Sequence, residues 1–140
     1  MNSKFIVLLL ALIILPISSQ ARSISELNGI NLVSYKEIND LCLQIEGYDP
    51  ISGCYISQTD NIYIREDLPQ GRFLFVLWHE IGHFFMNGTT SEQFEEVFNP
   101  TPAKRFNVTM PEIAADTYAL YMMGGYVPEN QVDFFKGIMK

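Results

Sequence analysis

The sequence predicts an α+β fold, a small antiparallel sheet or hairpin followed by helices, and three observations lead there. Two runs rich in β-branched and aromatic residues, Cys54-Tyr55-Ile56-Ser57 and Asn61-Ile62-Tyr63-Ile64, flank the polar trio Gln58-Thr59-Asp60, the pattern of two short strands and a hairpin turn. The stretch from Phe73 to Phe85 is apolar at most positions and contains no proline, so it is too long for a strand and reads as a helix buried nearly all round. Farther on, Thr109-Met110-Pro111-Glu112 carries the start signals of another helix, with Thr as N-cap and Pro in the first turn, and Gly124-Gly125 supplies its stop.

The remaining elements follow in chain order. Lys4, the unbroken apolar stretch Phe5 to Leu15, Pro16 and the small residues of Ser19-Gln20-Ala21 form a secretory signal peptide over residues 1–21, cut after Ala21. The competing reading is an uncleaved anchor, but the stretch is short for a membrane span, and no other segment is apolar enough to cross a bilayer. Residues 22–140 then form a single domain, long enough for a genuine core, in a secreted or periplasmic protein that is off the membrane after cleavage. Apolar spacing between Leu27 and Ile45 suits a helix around Tyr35 to Leu43, broken by Gly47-Tyr48-Asp49-Pro50. After the hairpin, Leu68-Pro69-Gln70-Gly71 ends the second strand, and the long helix starts at about Pro69 or Arg72 and closes at Asn87-Gly88. Ser91 to Phe98 forms a short helix that Asn99-Pro100-Thr101-Pro102 cannot continue. The helix that Thr109 opens runs to Met123, and Pro128 begins a last one carrying Val132, Phe134, Phe135 and Ile138 as core filler.

Composition excludes several partners. Nine basic residues against sixteen acidic ones give a net charge of −7, and such a surface repels phosphate backbones and anionic membranes. A hydrophobic content of 48% excludes a disordered chain. Cys42 and Cys54 are the only cysteines, and in an exported protein they pair most simply as a disulfide. The competing role, a zinc ligand, would fill the position that catalysis needs open.

The chemistry sits in His79-Glu80-Ile81-Gly82-His83, which holds both histidines of the chain. Residues four apart share a helix face, so the two imidazoles can hold one Zn²⁺, with Glu80 beside it as general base. Two histidines scattered at random over 140 positions fall four apart roughly 1% of the time, and a Glu directly after the first lowers that to roughly 0.1%. A catalytic zinc needs a third protein ligand and an open position. No third His exists, and Met86 and Thr89 stand where a metzincin extension needs Gly and His. The best carboxylate is Glu112, four residues before Asp116 on a face lined by Ala115 and Ala119, whose small side chains allow close helix approach. Asp116 could then accept a hydrogen bond from the far nitrogen of a ligand imidazole. Against this, Thr109-x-x-Glu112 is also a capping box, in which Glu112 only satisfies backbone donors. A weaker variant makes Asp116 the ligand, and Glu92, Glu95 and Glu96 are rivals that read as a solvated helix face.

Taken together, Phe75 to Phe85 with its H-E-x-x-H, followed by Glu112-x-x-Ala115-Asp116, resembles the gluzincin metallopeptidases. The compact size and the upstream hairpin are similar to the small ImmA/IrrE-type and minigluzincin members, over roughly Cys54 to Met123. The resemblance implies a zincin-like fold in which His79, His83 and Glu112 bind one zinc per chain, Glu80 is the catalytic base, Asp116 supports His79, and a hairpin strand forms the lip of the cleft. Two departures stand out: ImmA/IrrE-type proteins are generally cytoplasmic, and larger gluzincins carry a further His or Tyr that steadies the oxyanion.

These residues point to an exported zinc peptidase acting on a peptide or protein substrate. Zinc lowers the pKa of a bound water towards about 7, and Glu80 takes the proton and passes it to the leaving amine. Candidate oxyanion donors are Tyr118, Tyr121, Tyr126 and Arg105. Asn61 to Ile64 is the expected exposed edge for pairing with an extended substrate. Gly82 relieves crowding where another segment crosses the helix, and Asn87-Gly88-Thr89 and Asn107-Val108-Thr109 match the glycosylation sequon. The alternatives are a non-catalytic zinc-binding domain and an interaction module without metal.

Overall fold

A computed structural model of the protein describes residues 21–42, 51–98 and 109–140. After a short 3-10 helix at Ile24–Glu26, the elements are β1 (Gly29–Val33), α1 (Tyr35–Leu41), β2 (Gly53–Ile56), β3 (Asn61–Arg65), α2 (Gln70–Met86), α3 (Ser91–Phe98), α4 (Met110–Met122) and α5 (Glu129–Ile138). The α+β class holds, and the helix and hairpin boundaries fall within a residue or two of those expected. The signal segment through Gln20, Leu43, the break at 47–50, the break at 99–102 and residues Asn107-Val108 lie outside the described residues.

The sheet differs from the antiparallel hairpin expected. It has three strands in the order β1-β3-β2, with β1 parallel and β2 antiparallel to β3. The missed strand, β1, is held by its ladder and by the Asn31 amide, which donates to the Ile62 carbonyl at 3.2 Å. Its isoleucine and leucine are exposed (47% for Ile30, 58% for Leu32), so no buried stripe announces it in the sequence. Because β3 is paired on both sides, Asn61–Ile64 is not an edge, and the expected substrate-pairing edge is corrected: the hairpin's free edge is β2. Ile62 and Ile64 on β3 are fully buried, and the hairpin closes through Asp60 at φ 51, a left-handed conformation that aspartate tolerates better than most residues.

Helix α2 lies against this sheet and α4 crosses it. Its buried residues are Val76, Glu80, Ile81, Gly82, Phe84, Phe85 and Met86, whereas Leu74 is 38% exposed, so burial all round holds only for the second half. The crossing depends on size. Ala114, Ala115 and Ala119 on α4 have no exposed surface, and a Cβ on Gly82 would come within 3.1 Å of the Tyr118 ring. Phe84, Phe85, Phe94, Phe98, Tyr118 and Phe135 fill the core between α2, α3, α4 and α5, each burial contributing roughly 1.5–3 kcal/mol. Gly88 at φ +91 and Gly124 at φ +81 turn the chain where α2 and α4 end.

Two ties complete the fold. Cys42 and Cys54 form a disulfide that fastens the end of α1 to β2, a constraint contributing about 2–3 kcal/mol. Arg22 donates its backbone N–H to Ile138 O and accepts from Lys140 N, both at 2.9 Å. No helix among the described residues is long and apolar enough to cross a membrane.

Candidate metal centre

One face of α2 and the first turn of α4 build the site. His79 and His83, one helical turn apart, bring their Nε2 atoms within 3.1 Å of each other. The Glu112 carboxylate spans the pair, with Oε2 3.2 Å from His79 Nε2 and Oε1 3.1 Å from His83 Nε2. Thr109 is the N-cap residue of α4 but makes no side-chain capping bond, so Glu112 belongs to the imidazoles and not to a capping box. The stripe of alanines on α4 is what lets the carboxylate reach that far across the crossing.

These three separations test whether a metal fits. Zn–N bonds of about 2.0–2.1 Å at tetrahedral angles put neighbouring ligand atoms about 3.3 Å apart. The two imidazole nitrogens, 3.1 Å apart, are close to that, each faces a different oxygen of Glu112 at 3.1 to 3.2 Å, and two imidazoles with one carboxylate are a zinc donor set with one corner left open. Asp116, one turn beyond Glu112, lies 2.8 Å from His79 Nδ1. A proton on Nδ1 satisfies that carboxylate and leaves Nε2 as a lone pair aimed at the triangle. Asp116 approaches only this far nitrogen, which disfavours the variant that made it the ligand.

Glu80 is the buried charged residue of the site, 6% exposed. Its carboxylate lies within 4.8 Å of the ligand nitrogens of both histidines, but the short contacts are those of Glu112. Burial pushes the Glu80 carboxyl above the usual carboxylate range; the imidazoles oppose that shift, Glu112 reinforces it, and the nearby Tyr55 backbone opposes it slightly. A carboxyl poised higher than normal, beside a metal triangle, suits a group that must take up and release a proton. Burial disfavours a charge on His79, but hydrogen bonds to Asp116 and Glu112 outweigh it and raise its pKa to about 10. Hydrogen bonds from His79 and then His83 hold Glu112 well below the usual range. The pocket is thus built for positive charge between the rings and the carboxylate.

The oxyanion candidates fare worse. Tyr118 is 1% exposed, its ring packs on Gly82, Phe85 and Phe135, and its hydroxyl donates to Met139 Sδ at 3.4 Å, so it is a core residue and not a donor to the site. Burial, with Tyr121 adding to it, pushes its hydroxyl up to about 12. Tyr121 stacks on Phe135, and Tyr126 is 89% exposed beyond α4. Arg105 lies outside the described residues. Glu92, Glu95 and Glu96 are exposed on α3, the solvated face expected.

Sequence reasoning missed the part of the site that β2 supplies. A Cβ on Gly53 would lie 2.5 Å from Val76 Cγ1 and 3.2 Å from Glu80 Oε1, so the strand touches α2 just where Glu80 emerges. Gly53 stands just before the strand expected from the sequence and is the first residue of the observed one, where a glycine signals close approach.

A family model described as the IrrE N-terminal-like domain, a peptidase family, matches residues 38–118, more than half of the chain. That span runs from α1 through the strands and α2 to Tyr118, and so includes His79, Glu80, His83, Glu112 and Asp116. No curated protein and no solved structure matches the chain.

Proposed function

Since the chain belongs to the IrrE N-terminal-like family of zinc metallopeptidases, we propose that it is an exported peptidase that hydrolyses peptide bonds with one zinc per chain. The observation that carries this reading is the grouping of His79, His83 and Glu112, with mutual contacts of 3.1 to 3.2 Å, set beside the buried carboxyl of Glu80. His79, His83 and Glu112 hold the metal, and Asp116 fixes the tautomer and ring orientation of His79. When bound, zinc would supply a water whose pKa falls to about 7 and would polarise the scissile carbonyl.

The protein's own residues handle protons and position. Glu80 takes a proton from the attacking water and delivers it to the leaving nitrogen. An extended peptide pairs with the outer edge of β2. Arg65 N donates to Ser52 O at 3.0 Å, so the alternation of the antiparallel ladder turns the backbone groups of Gly53 and Tyr55 outward, alongside Glu80. The disulfide supports export, because such bonds persist in oxidising compartments.

A peptide library with and without chelator, elemental analysis, and the variant Glu80→Gln test the proposal together. We expect about one zinc per chain in both proteins, and hydrolysis lowered at least about 100-fold in the variant. Zinc-loaded wild-type protein that cleaves nothing, or a variant that works as well as wild type, would favour the non-catalytic reading. N-terminal sequencing of the exported chain should begin at Arg22.

A further inference from the structure

We infer that Arg22, acting through Tyr55, is a positioning residue that holds strand β2 against Glu80. The inference deepens the peptidase reading, since it takes Glu80 as the base. Arg22 reaches three elements at once. Its Nη1 donates to the Tyr55 hydroxyl at 3.2 Å and to the Phe84 carbonyl at 3.1 Å, and its Nη2 donates to Asp60 Oδ2 at 2.9 Å. The guanidinium also lies 3.9 Å from the centre of the Phe84 ring. The Tyr55 hydroxyl donates to Asp60 Oδ1 at 2.6 Å and accepts from the Asn87 amide at 3.2 Å, while its ring meets Phe84 edge to face. Strand β2, the hairpin turn and the second half of α2 are thereby clasped by one cation.

The far side of the same residue bears on the chemistry. Its strand also packs on α2 where Glu80 emerges. Two residues earlier, the bare Cα of Gly53 lets β2 lie on Val76 and Glu80. The strand is therefore pinned to α2 twice, by a missing side chain at Gly53 and by the Arg22 clasp at Tyr55. A planar guanidinium satisfies three acceptors in fixed directions, which an ammonium cannot do. The clasp needs no contact with substrate or metal; it sets where the base stands, and small displacements of a base cost rate out of proportion to their size.

The test uses Tyr55→Phe, which keeps the ring on Phe84 and removes the hydroxyl, with Asp60→Asn as a second variant because asparagine also tolerates a positive φ. Purified, zinc-loaded proteins are compared for zinc content, kcat and KM on one cleaved peptide, in the wild-type and Glu80→Gln backgrounds, and for urea midpoints. We expect unchanged zinc, KM within about twofold and kcat lowered about tenfold while Glu80 is present, with no further loss once Glu80→Gln has removed the base. An undiminished kcat in both Tyr55→Phe and Asp60→Asn, a tenfold loss that persists in the Glu80→Gln background, or a kcat loss matched by lost zinc overturns the inference. Should the wild-type protein cleave no peptide, the peptidase reading fails, and a stability cycle between Tyr55→Phe and Gly53→Ala still decides whether the clasp holds β2 on α2: losses that simply add would overturn it.

Discussion

Replacing Gly53 by alanine adds a single methyl group, and the structure sets what that methyl meets. Its Cβ would stand 2.5 Å from Val76 Cγ1, with the Glu80 Cγ and Oε1 each 3.2 Å away. Ordinary carbon contacts are about 3.5–4.0 Å, so strand and helix must part by roughly 1 Å. Val76 cannot swing aside, because it is buried at 5% exposure and β-branched side chains in helices are confined to one rotamer. Overpacking of this kind costs about 1–3 kcal/mol, which in a domain of this size lowers Tm by roughly 4–12 °C. Calorimetry on the zinc-loaded protein measures it, with Gly137→Ala as control: that glycine lies in α5 with nothing within 4 Å of a new Cβ, and there alanine should stabilise by about 0.5–1 kcal/mol. A Gly53→Ala protein as stable as wild type would mean that β2 is not pressed on α2 and would refute the reasoning.

Further outcomes are expected. Glu112→Ala should lose most of its zinc by elemental analysis while the circular dichroism of α4 persists, because Glu112 serves the histidines and not a cap; retained zinc would restore the capping reading. Tyr118→Phe should leave kcat unchanged and shift stability by less than about 1.5 kcal/mol, since its hydroxyl meets only the Met139 sulfur. The Tyr55 hydroxyl first, and then Arg22, hold the Asp60 carboxyl below its ordinary range despite some burial. A carboxyl depressed in the folded state adds stability that is fully present above its unfolded pKa of about 3.9 and fades as pH falls through the lower folded value. Urea midpoints of wild type and Asp60→Asn should therefore differ at neutral pH and converge in acid, and a gap that does not close would count against the Arg22–Asp60 pair.

Much of the site was legible because its signals are local. His79 and His83 are related by one helical turn, and the Thr-x-Pro-Glu start fixed the phase that puts Glu112 and Asp116 on one face of α4. Neither depends on distant parts of the chain. The choice between capping and ligation at Glu112 was not local: it turned on how closely two helices approach, which Gly82 and the alanines of α4 decide. The same limit hid β1, whose apolar side chains are exposed and whose pairing is with a strand some thirty residues away. Missing β1 made β3 look like an edge. Tyr118 was misread for a related reason, since helical phase gives a direction but not whether metal or core lies there. Arg22 carried no signal at all, for its value comes from three acceptors scattered between residues 55 and 84.

The pairing of Arg22 with Ile138 and Lys140 has a practical corollary. Residues 22 and 140 lie side by side, so in the mature chain proposed here a tag, carrier or surface tether fused at either place grips it by the same handle. Immobilised preparations made through one end or the other should present an identical orientation, and a short peptide loop could bridge the two without disturbing what lies between.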